Sequence, residues 1–77
     1  MRLTPKERIT LLYVALGYSD KEICQKMNIS YSTVRTYIER GVLKMCARNR
    51  THAALKYITK ESPEVYLKTL EGLKEVL

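Results

Sequence analysis

The fold of this chain is decided by residues 3–54, LTPKERITLLYVALGYSDKEICQKMNISYSTVRTYIERGVLKMCARNRTHAA. This stretch contains three helix starts, at Thr4, Ser19 and Ser30. Thr4 and Ser19 are each followed three residues later by a glutamate, the capping-box pattern in which two side chains satisfy free N–H groups reciprocally. Ser19 and Ser30 lie eleven positions apart. A short helix, a tight turn and a second helix form the pattern of a helix-turn-helix, whose second helix enters the DNA major groove.

Start and stop signals predict an all-α fold. Gly17 and Asn28 can adopt the left-handed conformation that ends a helix. Val34, Ile38, Val42 and Met45 recur at helical spacing and predict the buried side of the third helix. The predicted helices are Pro5–Leu16, Asp20–Met27, a third from Ser30 towards Met45, a fourth from near Asn49 to about Lys60, and a fifth from Ser62-Pro63 to the C-terminus. We therefore expect a helix-turn-helix domain at residues 1–61 and an additional C-terminal helix at residues 62–77.

The composition argues against several classes of protein. The 77 residues hold one His and no Trp, and no acid–base or nucleophile constellation suggests an enzyme. No apolar run approaches the ~18–20 residues of a membrane span. No apolar stretch of signal-peptide type follows the charged N-terminus, so we expect no export. Cys24 and Cys46 have neither a CxxC partner nor a His at zinc spacing, which favours plain thiols in a reducing compartment. We expect no cofactor, no metal and a cytoplasmic protein.

The net charge of +6 is distributed unevenly. The stretch Asn28–Lys56 has six basic side chains against Glu39 alone, whereas Tyr57–Leu77 has three lysines against four glutamates. Basic side chains can simply solubilise a face. An excess confined to the predicted recognition helix and its flank instead indicates phosphate binding.

Four motifs carry a family resemblance: L-T-P-x-E-R, G-Y-S-x-K-E-I, I-S-x-x-T-V-R-T-Y and K-M-x-x-R-N-R-T-x-A. In order and spacing they resemble the LuxR/GerE-type DNA-binding domain of bacterial transcription regulators. The resemblance runs without a gap from Leu3 to Ala54. Because no receiver or ligand-binding domain is seen in the 77 residues, we expect a stand-alone, GerE-like member, and the resemblance implies a bacterial, nucleoid-associated protein.

The resemblance implies roles for particular residues. Arg35, Thr36 and Glu39 would contact bases from the third helix. Arginine can bind guanine bidentately, and glutamate can accept from the cytosine amine. Phosphate contacts are implied for a larger set of hydroxyl and basic side chains: Tyr31, Ser32, Thr33, Arg40, Lys44, Arg48 and Arg50. A homodimer contact through the fourth helix is implied for Ala53, Ala54 and Tyr57.

The chain departs from the family pattern at two places. Gly41 stands where the family has a buried Ile or Leu, which predicts a bend or a close approach in the third helix. The second departure is a pair of apolar stripes. One is formed by Ile9, Leu12, Tyr13 and Leu16 in the first helix, and the other by Tyr66, Leu70, Leu73 and Leu77 near the C-terminus. We expect the two stripes to meet, within one chain or across a dimer.

The sequence therefore predicts a homodimeric, sequence-specific regulator of transcription that binds double-stranded DNA. RNA polymerase or another regulator is a further expected partner, and a membrane is not. Two alternatives remain open. One is a sigma-factor region-four-like module, against which R-N-R-T-x-A argues. The other is a protein-interaction module or anti-activator that pairs with a LuxR-type regulator.

Overall fold

The computed structural model describes residues 2–60 and residue 64. It contains four helices, α1 (Pro5–Ala15), α2 (Asp20–Met27), α3 (Tyr31–Lys44) and α4 (Arg50–Lys60), with no strand among the described residues. The predicted all-α fold class is confirmed. The predicted C-terminal helix and its stripe lie outside the described residues, residue 64 apart. No described helix is long and apolar enough to cross a bilayer.

Local signals set the helix boundaries as predicted. The Thr4 and Ser19 hydroxyls each accept from the backbone N–H three residues on, at 3.2 Å, and the glutamate at that position accepts from the capping residue's N–H at 2.9 Å. The Ser30 hydroxyl accepts from the Thr33 backbone at 3.2 Å. Asn28 ends α2 at φ 55 and ψ 49, and Gly17 follows α1 at φ 89. These caps fix where α2 ends and where α3 begins.

The core consists of two apolar clusters bridged by α1. One cluster joins α1 to α4 and contains Leu3, Leu11, Ala53, Tyr57 and Ile58, with Leu12 and Ala15 packed against it. The other joins α2 to α3 and contains Ile23, Val34 and Ile38, with Tyr13 and Val14 of α1 packed against it. Because Val34 and Ile38 are buried, the opposite side of α3 faces solvent.

Gly41 produces a close approach, one of the two outcomes expected for it. The residue is buried within α3, and its carbonyl accepts from the Met45 N–H at 2.9 Å, as in a regular helix. A methyl group at Gly41 would lie 3.1 Å from both Cδ atoms of Leu11. The missing side chain therefore lets α3 pack directly against α1.

The end of α3 is tied to α4. Cys46 has a left-handed φ of 52, and the Ala47 N–H donates to the Val42 carbonyl at 3.0 Å. The Lys56 ammonium of α4 donates to the Met45 and Cys46 carbonyls at 3.0 and 3.3 Å. Lys56, one of the six basic residues in Asn28–Lys56, therefore satisfies two carbonyl groups at the end of α3.

Candidate nucleic-acid interface

The outer face of α3 brings the three predicted base-contacting residues together. We define this face as Arg35, Thr36, Glu39 and Arg40. Arg35, Glu39 and Arg40 are exposed and Thr36 is half-buried. A cation, a hydroxyl and a carboxylate therefore lie side by side on a helix whose other side is anchored in the core.

The Arg35 side chain lies against Tyr31, one turn earlier. The Nη1 atom of Arg35 is 3.5 Å from the Tyr31 hydroxyl, and its Cζ atom is 5.9 Å from the ring centroid. Thr36 donates its hydroxyl proton to the Ser32 carbonyl at 3.0 Å, so its oxygen is available to accept. The aromatic ring limits the directions that the Arg35 guanidinium can take.

Hydroxyl groups cluster at the start of α3. The Ser30 hydroxyl lies 3.1 Å from that of Ser32 and 2.8 Å from that of Thr33. Backbone N–H groups at a helix N-terminus favour an anion. The predicted phosphate contacts Ser32, Thr33 and Tyr31 therefore share one end of the helix.

The predicted basic phosphate contacts fall into two groups. Arg40 and Arg48 are exposed, whereas Lys44 and Arg50 each form an ion pair within the chain. The sequence pattern did not indicate this division, because the acidic partners lie 37 and 30 residues away.

The Lys44 ammonium lies 2.7 Å from Oε1 of Glu7, whose side chain is only 1% exposed. The same carboxylate oxygen accepts from the Thr4 N–H in the capping box of α1. Burial acts to raise the pKa of Glu7, but the hydrogen bonds from Lys44 and Thr4 outweigh it and bring the pKa below its ordinary value of 4.5. Lys44 thus fastens the end of α3 to the start of α1.

Arg50 makes a bidentate pair with Asp20. Its Nη2 atom lies 3.1 Å from Oδ2 of Asp20, and Nη1 contacts the other carboxylate oxygen. Asp20 is the first residue of α2 and Arg50 the first of α4. This pair therefore links the start of the first helix of the helix-turn-helix to the start of α4.

Asn49 caps α4 by accepting from the His52 N–H at 2.9 Å. The His52 Nδ1 atom accepts in turn from the Arg48 N–H at 3.1 Å. This exchange parallels a capping box with imidazole in place of the glutamate. No role was predicted for His52, and the Asn49-x-x-His52 spacing is the sequence signal that indicates this exchange.

The structure corrects the expected position of the three dimer residues. Ala53, Ala54 and Tyr57 are buried in the core of a single chain, where Ala53 and Tyr57 belong to the α1–α4 cluster. These small and aromatic side chains let α4 pack closely against α1. The outer face of α4 is formed instead by Thr51, Leu55 and Thr59, with Leu55 49% exposed.

Within the described part of the chain, no group of His, Cys, Asp or Glu residues could hold a metal ion. What the fold presents is a helix-turn-helix with a polar, charged outer face on its second helix, which is the class of a DNA-binding domain. Comparison with known families agrees. The family described as "Bacterial regulatory proteins, luxR family" (GerE) matches residues 1–57.

The chain belongs to this LuxR family of DNA-binding transcription regulators, which is not a family of enzymes. It is similar to the tetrathionate response regulatory protein TtrR of Salmonella typhimurium, with 35% identity over 68 residues, 88% of this chain and 33% of that protein. It is also similar to the nitrate/nitrite response regulator NarL of Escherichia coli K12, with 35% identity over 54 residues. That match covers 70% of this chain and 25% of NarL. The chain thus spans a quarter to a third of the length of these relatives.

Proposed function

We propose that this chain binds double-stranded DNA sequence-specifically, with α3 in the major groove, and regulates transcription as a homodimer in the bacterial cytoplasm. The observation that carries the proposal is the outer face of α3. Its Arg35, Thr36 and Glu39 point away from the core, while Val34 and Ile38 anchor the same helix. The two ion pairs, Glu7–Lys44 and Asp20–Arg50, support it because they fix the neighbouring helices around α3.

Base recognition follows from the chemistry of that face. The Arg35 guanidinium can donate to O6 and N7 of one guanine, and Glu39 can accept from a cytosine amine. The two residues are one helical turn apart, so they would contact neighbouring base pairs. The Thr36 hydroxyl, which already donates to the backbone, is suited to accept from a base amine or to contact a thymine methyl group through its own methyl.

Phosphate contacts set the register and orientation of the domain. Ser32 and Thr33 at the start of α3, together with the exposed Arg40 and Arg48, have the chemistry for this role. Lys44 and Arg50 act mainly through their carboxylate partners. Lys44 and Arg50 can add long-range attraction for DNA. Their ion pairs, however, mainly support a role in positioning the helices.

Dimerisation through α4 remains part of the proposal, with its outer face as the contact. Thr51, Leu55 and Thr59 follow at intervals of four residues and form one side of the helix. A two-fold axis beside this face would present two α3 helices to half-sites one turn of DNA apart, roughly 34–36 Å.

The experiment that tests the proposal is binding to duplex DNA from a random pool, followed by selection of the bound sequences. We expect salt-sensitive binding and recovery of a two-part motif. The control is Arg8→Ala, which removes an exposed arginine from α1 and should leave the selected motif unchanged. Absence of any salt-sensitive binding would contradict the proposal and would support a protein-interaction module.

A further inference from the structure

Tyr31 is the first residue of α3 and lies one turn before Arg35. Its side chain is 53% exposed, so it gains little free energy from burial in the core. Among the described residues, Arg35 is the only hydrogen-bond or cation–π partner of this side chain. The ring of Tyr31 therefore shapes the surface around Arg35 and contributes little to the packing of the domain.

We propose that Tyr31 is a positioning residue that increases base discrimination by restricting the Arg35 guanidinium in the free protein. This inference rests on the proposed base contact of Arg35, and it names a further residue on which the specificity of that contact depends. An unrestrained arginine side chain loses rotamer freedom when it binds a base, and this loss weakens the contact. Because Tyr31 already restricts the guanidinium before DNA binds, less freedom remains to be lost.

The contact with Tyr31 leaves free the donors that guanine requires. The Nη1 atom of Arg35 donates to the Tyr31 hydroxyl at 3.5 Å, a long hydrogen bond, and the Cζ atom lies 5.9 Å from the ring centroid, within cation–π range. A guanidinium has five N–H protons, and a bidentate contact with O6 and N7 of guanine uses two of them. The Nε and Nη2 atoms have no partner in the described part of the chain. They can therefore bind guanine while Tyr31 holds Nη1.

The two carboxylates that act on Arg35 do not capture it. Glu39, one turn later, forms no ion pair with Arg35 within the described residues. A cation that precedes its anion by four residues is also the less favourable order for a helical pair. Both carboxylate oxygens of Asp20 contact Arg50. The Tyr31 hydroxyl accordingly does most to raise the pKa of Arg35, and the two carboxylates contribute less. The Glu39 carboxylate thus stays available for a cytosine amine.

A phosphate contact by Tyr31 would have a different effect on binding. The hydroxyl that accepts from Arg35 still has its own proton to donate to a phosphate oxygen. Loss of a phosphate contact weakens binding to all sequences alike, whereas loss of positioning lowers the preference for one base pair. Affinities for several sequences therefore separate the two roles.

The test uses the full chain, the site selected from the random pool and the single-base variants of that site, at one salt concentration. We define the discrimination ratio as the affinity for the selected site divided by the affinity for the variant at the base pair that Arg35→Ala affects. Tyr31→Ala should lower this ratio by about two- to fivefold, the range expected for an exposed cation–π contact. Tyr31→Phe, which keeps the ring, should recover part of the loss.

Two controls accompany these variants. In the Arg35→Ala background, Tyr31→Ala should lower the discrimination ratio no further, because the group that Tyr31 positions is absent. Ser32→Ala removes an exposed hydroxyl from the same turn of α3, at a predicted phosphate contact. It should weaken binding to every sequence alike and leave the ratio unchanged.

Two outcomes would overturn the proposal. An unchanged ratio in Tyr31→Ala, even with weaker binding to every sequence, would leave Tyr31 without a positioning role. A loss of the same size in the Arg35→Ala background would show that Tyr31 acts independently of Arg35. Neither outcome contradicts the proposed base recognition by α3, which would fail instead if Arg35→Ala itself bound every variant as the wild type does.

Discussion

Single residues hold this domain together through pairs that are distant in sequence. Glu7 caps α1 and simultaneously accepts from Lys44 at the end of α3. Asp20 and Arg50 connect the starts of α2 and α4. The family pattern indicates phosphate contacts for Lys44 and Arg50, and the structure gives each of them an internal carboxylate. Replacing Lys44 or Arg50 should therefore mainly lower the free energy of unfolding.

Lys44→Ala should lower the free energy of unfolding by about 1–3 kcal/mol at neutral pH, because it leaves a buried carboxylate without its cation. Lys6→Ala, which removes an exposed lysine from α1, should change it little. Chemical denaturation of the three proteins measures the difference. If Lys44→Ala kept its stability but bound DNA more weakly, the main role of Lys44 would be a phosphate contact.

The lowered pKa of Glu7 predicts a pH dependence with a definite sign. A carboxyl group whose folded pKa lies below its unfolded pKa stabilises the fold above the unfolded value, here 4.5. That contribution should be lost as pH falls below 4.5 through the folded pKa. Denaturation from pH 7 downwards should show a fall in stability in this window that is smaller in Glu7→Gln. Equal slopes in the two proteins would contradict the lowered pKa.

Cys46 has a backbone conformation that suits a residue with a Cβ poorly. It lies at φ 52 at the end of α3, a region that costs a residue with a Cβ ~1–2 kcal/mol. Cys46→Gly should raise the free energy of unfolding by about 0.5–1 kcal/mol, since glycine's greater unfolded-state freedom offsets part of the gain. Cys46→Ala is the control, because it removes the thiol but keeps the Cβ, and should give no such gain.

At the scale of helices, the sequence predicted most of what is local. The boundaries of α1 to α3 follow from Thr4, Ser19 and Ser30 at the starts and from Gly17 and Asn28 after the ends, because capping depends on neighbours within a turn. What could not be predicted depends on packing between helices. Spacing alone does not say whether small residues on one side of a helix approach a second chain or another helix of the same chain.

Substitutions at two adjacent residues of α4, Ala54 and Leu55, distinguish packing within the chain from contact with a second chain. Ala54→Glu should cost about 3 kcal/mol of stability or more, because it places a charge in the core. Leu55→Glu should retain the fold and weaken cooperative binding to a two-part DNA site. Circular dichroism melts and binding to one-part and two-part sites check both. Full cooperativity in Leu55→Glu would move the dimer contact away from the outer face of α4.

For the whole molecule, the charge pattern overstated the number of free cations between Asn28 and Lys56. Of the six basic residues in Asn28–Lys56, Lys44 and Arg50 form ion pairs and Lys56 binds carbonyl groups at the end of α3. The exposed cations are the remaining three: Arg35, Arg40 and Arg48. Charge counting cannot show this division, because it depends on which acceptors the fold brings close.

The most direct test of the central claim, that the outer face of α3 recognises bases, is a set of affinities. The wild type, Arg35→Ala and the control Arg8→Ala would be measured against the selected site and all its single-base variants at one salt concentration. Arg35→Ala should lose roughly 1–3 kcal/mol on the selected site and its preference at one base pair, while Arg8→Ala keeps the ranking. An unchanged affinity and ranking for Arg35→Ala would contradict the account.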